Sequence, residues 1–285
     1  MLRKCGNFRL DVSLFPPNFQ RVRKQRVIPT ALPVAWHRRS RNYIESLSMN
    51  DKIAINKTAI RDASTIVVLR DRISDPHVLM GQRGSNAAFM PDKFVFPGGA
   101  IDSEDANIQL ATNLNSLCKA RLMEDTVEDL SNSLAVAAIR ELWEESGLVL
   151  GKHGNWTCPP PTEWRAFAAT GHVPVAHPLQ FIFRAITPAG RPRRFDARFF
   201  LVDASDISGD LDDFSAASDE LSHLQWIPLP KARDYDLPFI TEVVLAEVAA
   251  RTDDMSPLET VPFFKNNDEA SLFVRLRGYS PKSDE

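Results

Sequence analysis

The chain has 285 residues, with 34 Lys/Arg, 37 Asp/Glu, a formal net charge of −3 and 44% hydrophobic residues; this composition builds a sizeable core and excludes a disordered or fibrous class. No run of about 18 apolar residues occurs, so no helical membrane span is expected. Cys5, Cys118 and Cys158 are far apart and lack CxxC spacing, which argues against a disulfide framework or a zinc site and fits a reducing cytoplasm.

Residues 1–50 carry ten Lys/Arg against two Asp/Glu, so the remainder is acidic. With RVRKQR at 21–26, HRRSR at 37–41 and Pro16, Pro17, Pro29 and Pro33, this segment reads as a disordered basic extension. A later start at Met49 and a targeting or polyanion-binding arm are the alternatives. Nucleic acid could be held only there; neither it nor a membrane is an expected partner, and a homodimer is compatible with the sequence without being demanded by it.

Order begins at Ser64. STIVVLRD and HVLMGQR (77–83) are β-branched and apolar runs separated by Asp75-Pro76, the pattern of a hairpin. KFVFPGGA (93–100) reads as a third strand stopped by Pro97 and the Gly98-Gly99 pair. The acid-rich segment 102–133 predicts one or two short helices around 105–130. A helix is then predicted from about Leu134 to Ser146, with Ser131, Asn132 or Ser133 as cap and Gly147 as a left-handed stop. Strands follow at 179–187, 194–204 and 224–229, and an apolar-periodic helix at about 238–250. Strands, helix, strands, helix is the order of an α/β fold with a mixed sheet packed between helices. The expected organisation is a domain over 60–250 with an insertion at about 102–133, and a C-terminal extension over 251–285.

The chemistry concentrates in RELWEESGL (140–148). Glu141, Glu144 and Glu145 stand at i, i+3 and i+4, so their carboxylates share one helix face, while Val136, Ile139 and Trp143 point away. Three such acids repel one another until a divalent cation offsets the charge. Oxygen-only ligands select a hard ion, Mg2+ or Mn2+, which bridges to phosphate oxygens and acidifies water for attack at phosphorus. An EE pair on an arbitrary helix is usually a solvated face. Five fixed residues in this spacing, however, arise by chance in roughly one chain in several thousand at average residue usage.

These residues resemble the Nudix box, G-x5-E-x7-R-E-U-x-E-E-x-G-U with U aliphatic, and Phe96-Pro97-Gly98-Gly99 looks like its opening turn. The resemblance implies an α/β/α sandwich and a hydrolase of nucleoside diphosphates linked to a second group. It implies Glu141, Glu144 and Glu145 as catalytic metal ligands, the Gly99 carbonyl as a further ligand, and Arg140 as the arginine that orients the glutamates. Here the step from Gly99 to Arg140 is 41 residues where the pattern has 14, so the box is split. The pattern's early glutamate, eight residues before the arginine, falls on Asn132, with Asp102 and Glu128 as acids that could replace it.

With FMPDKFVFPGGAID (89–102) before the split and RRFDARFFLVDA (193–204) after it, the chain is similar to the coenzyme A diphosphatase branch of that family. Coenzyme A or an acyl derivative is therefore the expected small-molecule substrate, with ADP-ribose, NADH, modified nucleotides or a non-catalytic nucleotide-binding role as alternatives. The terminal Ser-Asp-Glu is not a peroxisomal address. Glu220, before LQWIPL, resembles the family's late acid, a base or an additional ligand. Arg83, Arg193, Arg194 and Arg198 are candidate phosphate contacts, because a guanidinium fork matches phosphate oxygens. Phe195, Phe199 and Phe200 read as core, and His172 and His177 as ordinary loop residues.

Overall fold

The computed structural model describes residues 59–266 and 271–278; the basic extension expected over 1–50 lies outside the described residues. β1 (Ile60–Arg70) and β2 (His77–Arg83) form the expected antiparallel hairpin, with Leu69 opposite Val78 and Asp71 at φ 51 in the turn. The single strand expected over 93–100 is instead two, β3 (Phe94–Val95) and β4 (Gly98–Ala100). Pro97 cannot donate to a ladder, and across it the chain changes partners: β3 pairs with β2, and β4 with β1.

Residues 103–107 form a 3-10 turn, followed by α1 (Ser116–Met123) and α2 (Ser131–Ser146). The start of α2 differs from the expected side-chain cap. Its N-cap is Leu130, and Asp129 accepts from the Ser131 N–H at 3.1 Å. Its end is as expected, with Gly147 left-handed at φ 76 and donating to Trp143 O. β5 (Gly151–His153) and β6 (His172–Pro174) form a small separate ladder around α3 (Arg165–Ala169). Then come β7 (Gln180–Ile186), β8 (Arg194–Asp203), β9 (Leu221–Pro228) and α4 (Phe239–Ala249).

The segment expected as a C-terminal extension contributes two strands to the main sheet. These are β10 (Val261–Asn266), parallel to β7, and β11 (Ser271–Leu276), antiparallel to β10. The sheet runs β11-β10-β7-β8-β1-β2-β3, with β4 on β1 and β9 on β2. β1 and β8 are parallel over ten residue pairs, and the hairpins around them are antiparallel, so the sheet is mixed.

Side-chain alternation gives the sheet two apolar faces. Ile66, Val68, Phe200 and Val202 pack with Leu134, Val136, Ala138 and Ile139 of α2, whereas Val67, Leu69, Phe183 and Leu201 pack with Val244, Leu245 and Val248 of α4. The result is an α/β/α sandwich. At the start of α2, the buried Ser64 hydroxyl donates to Leu134 O at 2.6 Å, tying helix to sheet. Among the described residues, no helix is long and apolar enough to cross a membrane.

Candidate active site

The register of β4 on β1 sets Gly98 and Gly99 against Thr65 and Ser64, at the edge where α2 crosses the sheet. Glycine is required by space: a Cβ on Gly98 would stand 2.6 Å from Ser64 O, and one on Gly99 would collide with the Glu141 carboxylate. The two glycines let the acidic face of α2 lie directly on the strand. The Gly98 N–H donates to Glu145 Oε2 at 2.8 Å, and Glu145 is 1% exposed.

Arg140 organises this face. Its Nη1 donates to Glu141 Oε1 at 2.7 Å and Glu144 Oε2 at 3.1 Å, and its Nη2 to Ala100 O at 3.0 Å. The remaining fork is closed by Asp105, which accepts from Nε at 3.0 Å and from Nη2 at 3.1 Å while fully buried. Asp105 is the acid that sequence reasoning missed. Counting back from Arg140 lands on Asn132, but the extra chain lies between Asp105 and Arg140, so only the forward count of six from Gly99 reaches the right residue. Asp102 is 3.6 Å from Nη2 and mostly exposed; it lines the cleft but does not take that place.

One buried guanidinium is thus set against more acids than it can neutralise. Burial, reinforced by Glu144 and Glu220 and opposed by Arg140, pushes Glu141 up to about 7. Burial also raises Glu145 well above the usual range, with Glu141 and Glu220 adding to it. Glu144, half-buried, shifts up for the same first reason. These are the signs of a carboxylate cluster lacking positive charge.

A hard cation fits this donor set on a direct observation: Glu145 Oε1 is buried without a hydrogen-bond partner. Among the described residues no three ligating side chains converge into a ready metal cage. Arg140 draws Glu141 and Glu144, and Glu144 is the one with room to turn, its side chain 35% exposed.

The cluster opens on a cleft of about 690 Å³ lined by Gly98, Gly99, Asp102, Glu141, Glu220 and Arg83 among others. Glu220, just before β9, accepts from Arg83 Nη2 at 3.0 Å, which brings these two expected site residues together at the rim. Arg193 also lines the cleft, whereas Arg194 and Arg198 do not. Alternation along β8 turns Phe195, Ala197 and Phe199 to the cleft and the even-numbered residues to the other face. There Arg198, 1% exposed, pairs with Asp62 and Asp196, and Arg194 donates to Thr187 O and Asn266 O. Phe195, expected in the core, is half-buried in the cleft wall; Phe199 and Phe200 are buried as expected. His172 stacks on His153 at 4.1 Å on the small ladder, and neither it nor His177 lines the cleft.

A protein of Caenorhabditis elegans named nudix hydrolase 7, a name that is itself provisional, is 32% identical over 161 residues, covering 53% of this chain and 46% of that protein. The match therefore spans about half the length of that curated relative. A crystal structure of a NUDIX hydrolase from Alicyclobacillus acidocaldarius is 27% identical with a TM-score of 0.52, covering 68% of this chain and 93% of that chain. No family model matches the chain.

Proposed function

We propose that this chain, which has the Nudix hydrolase fold, is a divalent-cation-dependent hydrolase of a diphosphate linkage in a small nucleotide-containing substrate, with coenzyme A or an acyl derivative as the first candidate. The similarity to the worm and bacterial proteins supports the family. The observation that carries the reading is the unpartnered buried Glu145 Oε1 beside Glu141 and Glu144, on a helix face that opens to a cleft.

Glu141, Glu144, Glu145 and the Gly99 carbonyl would hold the ion. Oxygen-only donors favour Mg2+ or Mn2+. When bound, the ion supplies Lewis acidity toward the phosphate oxygens and the attacking water. Arg140, locked by Asp105, holds Glu141, which lines the cleft, together with Glu144. Glu220 is exposed at the rim and oriented by Arg83, which suits it to accept the proton of the attacking water. Of the arginines expected to contact phosphate, Arg83 lines the cleft at its acidic end and Arg193 lines it as well. The segments 89–102 and 193–204, which carry the likeness to the coenzyme A branch, both contribute to the cleft walls, and this favours coenzyme A over ADP-ribose or NADH.

The test is a mass-resolved hydrolysis screen of coenzyme A, acyl derivatives, ADP-ribose, NADH and nucleoside triphosphates with Mg2+, Mn2+ or EDTA, and Glu145→Gln as control. Release of 3′,5′-ADP from coenzyme A, abolished by EDTA and by the substitution, is expected. Cleavage of a different diphosphate removes the coenzyme A assignment. Binding of nucleotide without any cleavage replaces the enzyme by a nucleotide-binding module.

A further inference from the structure

The cleft is lopsided in charge. Gly99, Glu141 and Glu220 stand at one end, and Arg61, Arg191 and Arg193 line the other. The strand register separates the ends: Gly99 lies opposite Ser64 of β1, whereas Arg61 lies opposite Phe195 of β8. Three residues of extended strand are roughly 10 Å. Between the ends the floor is apolar, made by Ala63, Ala197 and Phe199, and Phe89 meets Phe195 edge to face at 5.2 Å on its wall.

The arginines are delivered by the same local rules that built the sheet. Arg61 shares its face of β1 with Ala63 and Thr65. Arg191 and Arg193 sit on the turn joining β7 to β8, where Gly190 takes φ 81. The other cations of the cleft are occupied, Arg83 by Glu220 and Lys93 by Asp236. Among the described residues, Arg61, Arg191 and Arg193 have no acidic or hydrogen-bonding partner, and all three are exposed. Cations that line one end of a cleft without a counter-charge make that end electropositive, and a dianion with several acceptor oxygens complements it.

We propose that Arg61, Arg191 and Arg193 form a second anion subsite, which takes a phosphomonoester carried by the substrate in addition to its diphosphate. The substrate class is then a nucleotide with a ribose phosphate, its ring lying on the floor near Phe195 and its diphosphate at the acidic end. This rests on the reading of the acidic end given above.

The test is a calorimetric titration of the full chain, with chelator present, against adenosine 3′,5′-bisphosphate and adenosine 5′-monophosphate. Wild type is expected to bind the bisphosphate at least about tenfold more tightly, as one charged hydrogen-bonded contact suffices to produce. In Arg191→Ala/Arg193→Ala the ratio falls to near one, whereas Arg165→Ala/Arg233→Ala, which removes the same charge from exposed positions outside the cleft, keeps it. Equal affinities in wild type, no binding of either nucleotide, a preference that survives in the first variant, or one lost equally in the second each overturns the subsite. The titration involves no metal and no turnover, so a chain that binds with this preference yet hydrolyses nothing would sink the hydrolase reading and leave the subsite standing.

Discussion

Asp105 and Arg140 are joined by two parallel hydrogen bonds, at 3.0 and 3.1 Å, across 35 residues of chain, with Asp105 fully buried. This pair closes the split motif: the 3-10 turn that follows Gly99 presents the acid, and the helix that follows the inserted segment presents the base. Removing Asp105 leaves Arg140 buried with its main partner gone. Asp105→Ala is expected to cost about 3–5 kcal/mol in denaturant unfolding, the usual penalty for breaking a buried pair, and Asp105→Glu much less. Asp102→Asn, whose largely exposed carboxylate stands 3.6 Å from Nη2 without a hydrogen bond, should cost within about 1 kcal/mol, and Glu128→Gln, away from the fork, should leave the midpoint nearly unchanged; losses there comparable to that of Asp105→Ala would remove Asp105 from this role.

If Glu145 is a metal ligand as proposed, Glu145→Gln is expected to separate metal binding from folding. The amide oxygen still accepts from the Gly98 N–H, and a costly buried charge disappears. The metal-free melting temperature should hold or rise, the stabilisation by Mg2+ or Mn2+ should vanish, and turnover should drop by orders of magnitude. A variant that still melts higher with Mg2+ would show that Glu145 is no ligand.

Gly99→Ala tests the close approach of β4 and α2. The added Cβ collides with the Glu141 carboxylate, so either strand or glutamate must move. Overpacking of this kind costs about 1–3 kcal/mol, and an ångström-scale displacement of a catalytic group about a hundredfold in turnover. Wild-type kinetics would mean that the carboxylate is free to relocate.

The pH dependence follows from the raised carboxylates. Glu141 titrates at about 7 in the folded protein against 4.5 in the unfolded chain, so between these values the folded state binds more protons. Stability from this group is full below about pH 4.5 and is lost as pH rises through 7, by at most about 3 kcal/mol. Glu144 and Glu145 act in the same direction. Thermal melts in EDTA are expected to fall from pH 5 to 8 and to flatten with Mg2+, which competes with the protons. A rise over that range in EDTA would contradict the buried cluster.

Glu220→Gln distinguishes a proton acceptor from a structural acid. Its ion pair with Arg83 is half in solvent and contributes within about 1 kcal/mol to stability, while loss of a general base lowers kcat by about 10²–10⁴. A melting shift without a kinetic effect would make the residue structural.

What the sequence determined by itself is what depends on local geometry. Carboxylates at i, i+3 and i+4 must share a helix face, Gly147 accepts the left-handed stop, and the apolar alternation of 64–70 and 194–204 requires strands with two buried sides. These follow from helical and strand periods and need no partner. The tertiary structure decided which partners met. Asp105 was legible in the forward count from Gly99, but with 34 residues between it and Arg140, spacing alone could not favour it over Asp102, Glu128 or Asn132; a buried guanidinium that needed a second carboxylate did. Arg194 and Arg198 carry the right chemistry for phosphate, and only the phase of β8 against the cleft, together with Asp62 and Asp196 on the opposite face, commits them elsewhere. Residues 251–285 held no local signal of membership in the domain, because a strand edge is recognised by the neighbour it pairs with, and β10 finds that neighbour in β7, some 80 residues earlier.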